Sequence, residues 1–288
     1  MKKSILFLIP LIPFFVMCQN SNKKAKIVQV LPSDTISMQY NSKYANLNMP
    51  ILDGIVNDSL HFKVFFDTGT SGSGFAISES FKNLFDSDST FVQIGKFKKQ
   101  MDVHYYKSNQ RSFLDVFGKN TILVGWEFFE NKIIEFDFQN QHILVYNELP
   151  SVVEYSKIKI IKSQNSYLLI PAQVVIQGKT IEATVLIDTG CNSFVALSSN
   201  RIEKQGIDTK KAYFGKATVS GGLMPGFSIP ADTIKIGDLY VANQNMQVSF
   251  DNFSHTGLLG TKTLENFSVI LDLINFDLYL KKIEIDDK

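Results

Sequence analysis

Two aspartates hold the clearest chemical promise in this 288-residue chain. Each ends an apolar run and opens the same triplet. The first stretch is Phe65-Phe66-Asp67-Thr68-Gly69-Thr70-Ser71; 121 residues later comes Leu186-Ile187-Asp188-Thr189-Gly190-Cys191-Asn192. One Asp-Thr-Gly in a chain this long is about a one-in-ten accident at average composition. A lone one is usually a turn or a helix cap, because Asp and Gly favour turns. Two in matched surroundings are a far stronger signal. A carboxylate delivered by a buried strand into a glycine turn is a candidate general acid or base. Two of them brought within about 3 Å cannot both ionise and share one proton.

The match extends well beyond the triplets, as an internal repeat should. At the same offset Pro50 falls on Pro171 and Leu47 on Leu168. Upstream of each Asp lie an apolar segment, a polar turn (Asn57-Asp58-Ser59; Gln177-Gly178-Lys179) and a second apolar segment. Downstream, each half has an apolar run ending in Gly: Ile122-Leu123-Val124-Gly125 and Leu258-Leu259-Gly260. Asn131 and Asn266 follow six residues past those glycines, and Asp137 and Asp272 twelve past. The chain is one supersecondary plan written twice, with one special carboxylate per copy. Asp137 and Asp272 sit between apolar residues and are expected as paired or edge carboxylates without chemistry.

The elements that must position the aspartates read as strands, because apolar residues come in short runs rather than helical stripes. In the first copy these are Ile36 to Tyr40, a hairpin of Met49–Ile55 and Leu60–Phe66, and Phe75–Ile77. Ser78 caps a short helix over Glu79–Phe85. Hairpins follow within Phe91–Val116, and Thr121–Val124, Lys132–Phe138 and His142–Tyr146 close the lobe. Leu149-Pro150-Ser151 marks the boundary, giving lobes of 35–149 and 150–288. The second repeats the plan with Lys157–Ile161, Tyr167–Val175 and Ile181–Ile187, then a short helix near Asn200–Gln205 that Gly206 stops. A long hairpin spans Ala217–Pro230, and a tight turn sits at Gly237-Asp238. Met246–Phe250, Val269–Leu273 and Leu278–Leu280 complete the sheet, and further short helices are expected at Glu127–Asn131 and Lys262–Asn266.

A strand ending in Asp-Thr-Gly-Thr-Ser, with a distant apolar-apolar-Gly, resembles the pepsin/retropepsin-like aspartic peptidases, over about residues 35–283. The resemblance implies an all-β fold of two similar barrel lobes with a few short helices and a cleft between them. It implies an aspartic endopeptidase of a bacterial branch, active as a single-chain monomer, with Asp67 and Asp188 as catalytic dyad. Thr68 and Thr189 would each bond backbone of the opposite loop. Gly69 and Gly190 would bring N–H groups to the carboxylates. Gly125 and Gly260 would pack against the two loops. Thr70 would donate to Asp67; its counterpart Cys191 is a poor donor, which would raise the dyad's apparent pKa. A peptide or protein substrate would lie in the cleft under a flexible hairpin, either the Tyr105-Tyr106 region or Gly221 to Phe227. The alternative is a catalytically silent, lipid-anchored module of the same fold that binds peptides or cell-wall fragments.

Composition narrows the remaining choices. A net charge of +1 gives no nucleic-acid footprint. The four histidines are scattered, without metal-ligand spacing, so no metal and no cofactor are expected. Residues 1–18 read as a signal peptide of lipoprotein type: Lys2 and Lys3, an apolar stretch from Ile5 to Val16, then Cys18 as the acylated residue. Met17 stands where such signals usually carry Gly or Ala, and an ordinary signal peptide is the alternative. Residues 19–34 would be a tether, placing the protein in a bacterial cell envelope with its lipid in the membrane. Of the two cysteines, Cys191 is then left without a disulfide partner.

Overall fold

The structure is a computed structural model that describes residues 30–39, 49–85, 87–106, 120–210, 212–219, 222–249 and 257–283. The expected signal peptide, the lipidation site Cys18, most of the tether and Gly221 lie outside the described residues. Strands make up more than half of what is described, in three sheets.

After β1 (Asp34–Ser37), the hairpin of β2 (Ile51–Val56) and β3 (Leu60–Asp67) forms as its sequence dictates. Asn57 and Asp58 both take positive φ, at 50° and 61°. Asn and Asp tolerate that region better than other side chains. Along β3 the alternation is clean at first, with Phe62 and Val64 buried and His61 exposed. Then Phe65 and Phe66 are both buried, because the strand runs into the interior just before Asp67. With β4 (Gly74–Ser78), β5 (Ser89–Ile94), β6 (Phe97–Tyr106) and β7 (Thr121–Gly125) these strands close a barrel in the order β2-β3-β7-β4-β6-β5. The segment after Ser78 is a 3-10 helix, Glu79–Leu84, whose Ser80 N–H bonds the Ser78 hydroxyl.

The chain then forms β8 (Ile133–Asp137), β9 (His142–Tyr146), β10 (Ser156–Lys159), β11 (Ile161–Lys162), β12 (Leu168–Ile176), β13 (Lys179–Ile187), β14 (Val195–Ser198), β15 (Tyr213–Val219), β16 (Gly222–Ile236), β17 (Leu239–Ser249) and β18 (Gly257–Leu259), ending in β19 (Phe267–Asp272) and β20 (Asp277–Lys282). The second sheet runs β11-β12-β13-β18-β14-β17-β16-β15, and β12 pairs back onto β16. The six strands from β12 to β16 in this ring repeat the first barrel pairing for pairing. The helix Ser199–Lys204 stops at Gly206, φ 60°, whose N–H bonds Glu203 O at 2.8 Å.

The third sheet corrects the sequence reading. Lys132–Phe138, His142–Tyr146, Val269–Leu273 and Leu278–Leu280 were expected to complete their own lobes. Instead they leave the barrels and join across the molecule in the order β1-β9-β8-β19-β20-β10. At its centre β8 meets β19 antiparallel, with Phe136 opposite Val269 and Ile134 opposite Leu271. Lys157–Ile161 is likewise two strands in two sheets, split at Ile160, whose N–H turns to Phe276 O. Phe66 ties barrel to shared sheet. Its ring meets Phe129 edge-on at 5.3 Å and stacks on Phe136 at 6.2 Å. Burying such a side chain contributes about 1.5–3 kcal/mol, directly behind the strand that ends in Asp67.

Candidate active site

The two Asp-Thr-Gly loops meet at the ends of β3 and β13. Each is built as a strand threaded beside a second parallel one. In the first, β3 runs with β7 and Asp67 lies opposite Gly125; in the second, β13 runs with β18 and the Asp188 N–H bonds Leu259 O at 3.0 Å. Each loop closes the same tight turn: the Thr70 N–H bonds Asp67 O, and the Cys191 N–H bonds Asp188 O, both at 3.2 Å.

Thr68 and Thr189, both fully buried, lock the loops to each other. The Thr68 hydroxyl donates to Ile187 O at 2.8 Å and accepts from the Thr189 N–H at 3.0 Å. The Thr189 hydroxyl donates to Phe66 O and accepts from the Thr68 N–H, both at 3.0 Å. Four bonds between residues 119 to 123 apart make one closed, two-fold related unit.

The glycines are required by this crossing. A Cβ on Gly69 would lie 2.6 Å from the Asp188 carboxyl carbon, and one on Gly190 2.4 Å from that of Asp67. So each carboxyl rests on the other loop's glycine. The Gly69 N–H donates to Asp67 Oδ1 at 2.7 Å and the Gly190 N–H to Asp188 Oδ1 at 2.9 Å. Gly125 and Gly260 are equally constrained. A Cβ on Gly125 would sit 2.6 Å from Thr70 O, and one on Gly260 2.3 Å from Ser193 O.

The electrostatics are not symmetric. Burial raises the Asp67 carboxyl above its ordinary range, but the Thr70 hydroxyl, 2.9 Å from Oδ2, and the Gly69 N–H hold it back. Asp188 is buried too; the neighbouring Asp67 charge pushes it further, and it stands well above the ordinary range. The two carboxyl groups lie close enough for the charge of one to bear on the other. The Asp67 anion thus has a side-chain donor that Asp188 lacks. The reason is chemical: where the first loop has the Thr70 hydroxyl, the second has Cys191. Its thiol lies 2.9 Å from the Ser193 hydroxyl, and burial pushes it up to about 12.

Other expected features fall elsewhere. Tyr105 and Tyr106 lie opposite Ile77 and Ser78 in the parallel β4–β6 pairing, in the barrel wall rather than at a hairpin tip; the β5–β6 turn is at Gly95 and Lys96. In the second lobe β15 and β16 pair from Tyr213–Ser228 to Val219–Gly222, and among the described residues β17 joins β16 from Ile236–Leu239 to Gly226–Ser249. Residues 222–225 thus pair with β15 in a two-stranded ribbon; residues 107–119, which follow Tyr106, lie outside the described residues. Asp137 and Asp272 are neither paired nor at an edge. Each caps the turn after its strand, taking bonds from the N–H and side-chain amide of Asn140 and Asn275 respectively.

Sequence reasoning missed two residues here, Ser193 and Glu127. Glu127 accepts a 2.7 Å bond from the Gly72 N–H, at the end of the first loop. A signal existed: two residues past the apolar-apolar-Gly the repeat breaks, with Glu127 in one copy and Lys262 in the other.

A search of curated proteins returns no match. Residues 172–263, from β12 through the helix after β18, match the family model described as aspartyl protease. That span holds one Asp-Thr-Gly with its apolar-apolar-Gly strand, and the first half repeats both. The match supports an aspartic peptidase assignment and spans the second lobe's Asp-Thr-Gly loop and its neighbouring strands.

Proposed function

We propose that the chain is an aspartic endopeptidase in which Asp67 and Asp188 form the catalytic dyad. The observation that carries this reading is the pair of carboxyl groups brought together by the crossed loops, each resting on the other loop's glycine. A water between them loses a proton to ionised Asp67 as it attacks the scissile carbonyl carbon. Asp188 gives its proton to the carbonyl oxygen, and a gem-diol results. Proton return to the amide nitrogen lets the C–N bond break. This is general acid–base catalysis by two identical side chains in different states. Both aspartates sit in one chain, so the active unit is a monomer. The β15–β16 ribbon and the Tyr105-Tyr106 region are both candidates for the cover over a bound peptide.

The test is cleavage of a mixed peptide library, read by mass spectrometry across about pH 3 to 8, with Asp67→Asn and Asp188→Asn alongside. Cuts made by the natural chain and missing from both variants are expected. A folded protein that cuts nothing refutes the enzyme. One observation favours the second reading, a silent peptide-binding module: the Cys191 thiol faces Ser193 and offers Asp188 no hydroxyl. Binding without cleavage, unaffected by either Asn substitution, would identify it. Anchorage through Cys18 at a bacterial envelope is proposed from the sequence alone. Metabolic labelling with a fatty-acid analogue, abolished by Cys18→Ala, tests it.

A further inference from the structure

Glu127 stands on the 3-10 helix Trp126–Phe129, which follows Gly125 directly. The residue is 8% exposed. One carboxylate oxygen, Oε1, takes the Gly72 N–H at 2.7 Å; the other, Oε2, is enclosed and has no hydrogen-bond partner. A buried carboxylate with an unused oxygen is costly, so packing alone does not account for it. Gly72 has φ 127°, a conformation side-chain-bearing residues rarely adopt. Two residues before Gly72, Thr70 donates to Asp67. A Cβ placed on Gly125 would lie 2.6 Å from Thr70 O and 2.9 Å from Glu127 Oε2. The carboxylate therefore lies beside the same glycine that the Thr70 main chain packs on.

The charged groups facing Glu127 come from two other strands. Lys99 of β6 donates to the Glu127 main-chain oxygen at 2.6 Å and pairs with Glu130 at 3.5 Å. Lys162 of β11 lies over the Trp126 ring at 5.0 Å and the Phe276 ring at 5.2 Å. Burial holds the Glu127 carboxyl above its ordinary range against the Gly72 N–H and both lysines. The second lobe ties its loop to the following helix by a different contact, without a carboxylate. There Thr261 reaches Cys191 O with both its N–H, at 2.8 Å, and its hydroxyl, at 3.2 Å.

We propose that Glu127 is a positioning residue of the dyad: it fixes Gly72, and through the short loop it keeps the Thr70 hydroxyl on Asp67. The inference rests on the dyad reading above. It gives the first loop a dedicated brace that makes Asp67 the partner that ionises first.

The test compares Glu127→Leu, Glu127→Asp and Glu127→Gln by kcat, KM and pH profile. It adds carbon-13 titration of the aspartate carboxyl groups, with Asp67 assigned by its loss in Asp67→Asn. Leu removes the acceptor; kcat is expected to fall about 10- to 100-fold with KM little changed. The acid-side midpoint should rise by about one unit, as the anion of Asp67 loses its donor. Gln keeps an acceptor for Gly72 and should recover most of kcat. Asp, one methylene shorter, should shift the midpoint as Leu does, and it decides the matter if the Leu variant does not fold. An unmoved Asp67 titration in folded Leu or Asp variants overturns the proposal, as does a Gln variant no better than Leu. If the natural chain cuts no peptide, the carbon-13 titration still reads Asp67. The peptidase and the brace thus fail separately.

Discussion

Supplying the hydroxyl that the second loop lacks should close the pH window from its alkaline side. Thr70 Oγ1 sits 2.9 Å from Asp67 Oδ2; at the same offset in the repeat stands Cys191, whose thiol faces Ser193 instead. The perturbation is Cys191→Ser combined with Ser193→Ala, which leaves the new hydroxyl no competing partner. A hydrogen bond to a charged group contributes about 1.5–3 kcal/mol. At about 1.4 kcal/mol per unit, the ceiling is a shift of one to two units. The sign and the limb follow from the asymmetry. Asp67, already served by Thr70, ionises first and sets the acid limb; Asp188 ionises second and sets the alkaline limb, although both midpoints belong to the pair. A donor to the Asp188 anion lowers only the second midpoint. Activity against a quenched fluorogenic peptide, followed as kcat/KM from about pH 2.5 to 8, should lose about one unit at its alkaline end while its acid limb stays put. Thr70→Ala, the mirror experiment, should raise the acid limb and leave the alkaline one. Both variants moving the same limb, or neither moving any, would refute the assignment of roles.

Thr68→Val removes one donor and one acceptor from the buried cross-lobe unit and strands Ile187 O and the Thr189 N–H. A loss of about 2–4 kcal/mol by denaturant unfolding is expected, with Thr68→Ser close to the natural chain. Gly190→Ala drives a methyl into the Asp67 carboxyl. It should cut kcat/KM about 100-fold or more while circular dichroism stays native. Stability should rise as pH falls from neutrality toward the ordinary carboxylate range. Asp188, Glu127 and Glu135 are all raised by burial, so the folded chain takes up protons before the unfolded chain does. The gain ends near pH 4, where the unfolded carboxylates titrate. Below that the Asp277 contribution is lost as well: despite burial it is held low by Lys157 and Lys159. Calorimetric Tm values that are flat or falling toward pH 5 would contradict this.

What the sequence revealed is what local chemistry controls. The β2–β3 hairpin followed from alternation around Asn57 and Asp58, and the helix stop from Gly206. The repeat located both loops, and the resemblance supplied the roles of Thr68 and Thr189. What it concealed depends on distant partners. β8 and β19 carry ordinary apolar runs, and nothing in Ile133-Ile134-Glu135-Phe136 tells a barrel strand from one that pairs across the molecule. The direction of the Cys191 thiol depends on Ser193, two residues on and invisible to the motif. Glu127 leaves no mark in what the two copies share, because its role lies where they differ. The ribbon was undecidable because it is a long β15–β16 register that only pairing exposes.

The seam between β8 and β19 has a consequence for the history and handling of the chain. A two-fold relation carries β1, β9 and β8 onto β10, β20 and β19, and the same relation exchanges Thr68 with Thr189. Severed between the barrels, each half would hold one aspartate and a bare strand edge complementary to its own copy as well as to its sister. Unpaired edges of this kind recruit whatever strand they meet. Half-chains are therefore expected to dimerise or clump rather than stay single, and the fused chain keeps the correct mate at hand. A self-pairing half that turned over peptide would be a living picture of the ancestor from which such a tandem could have been copied.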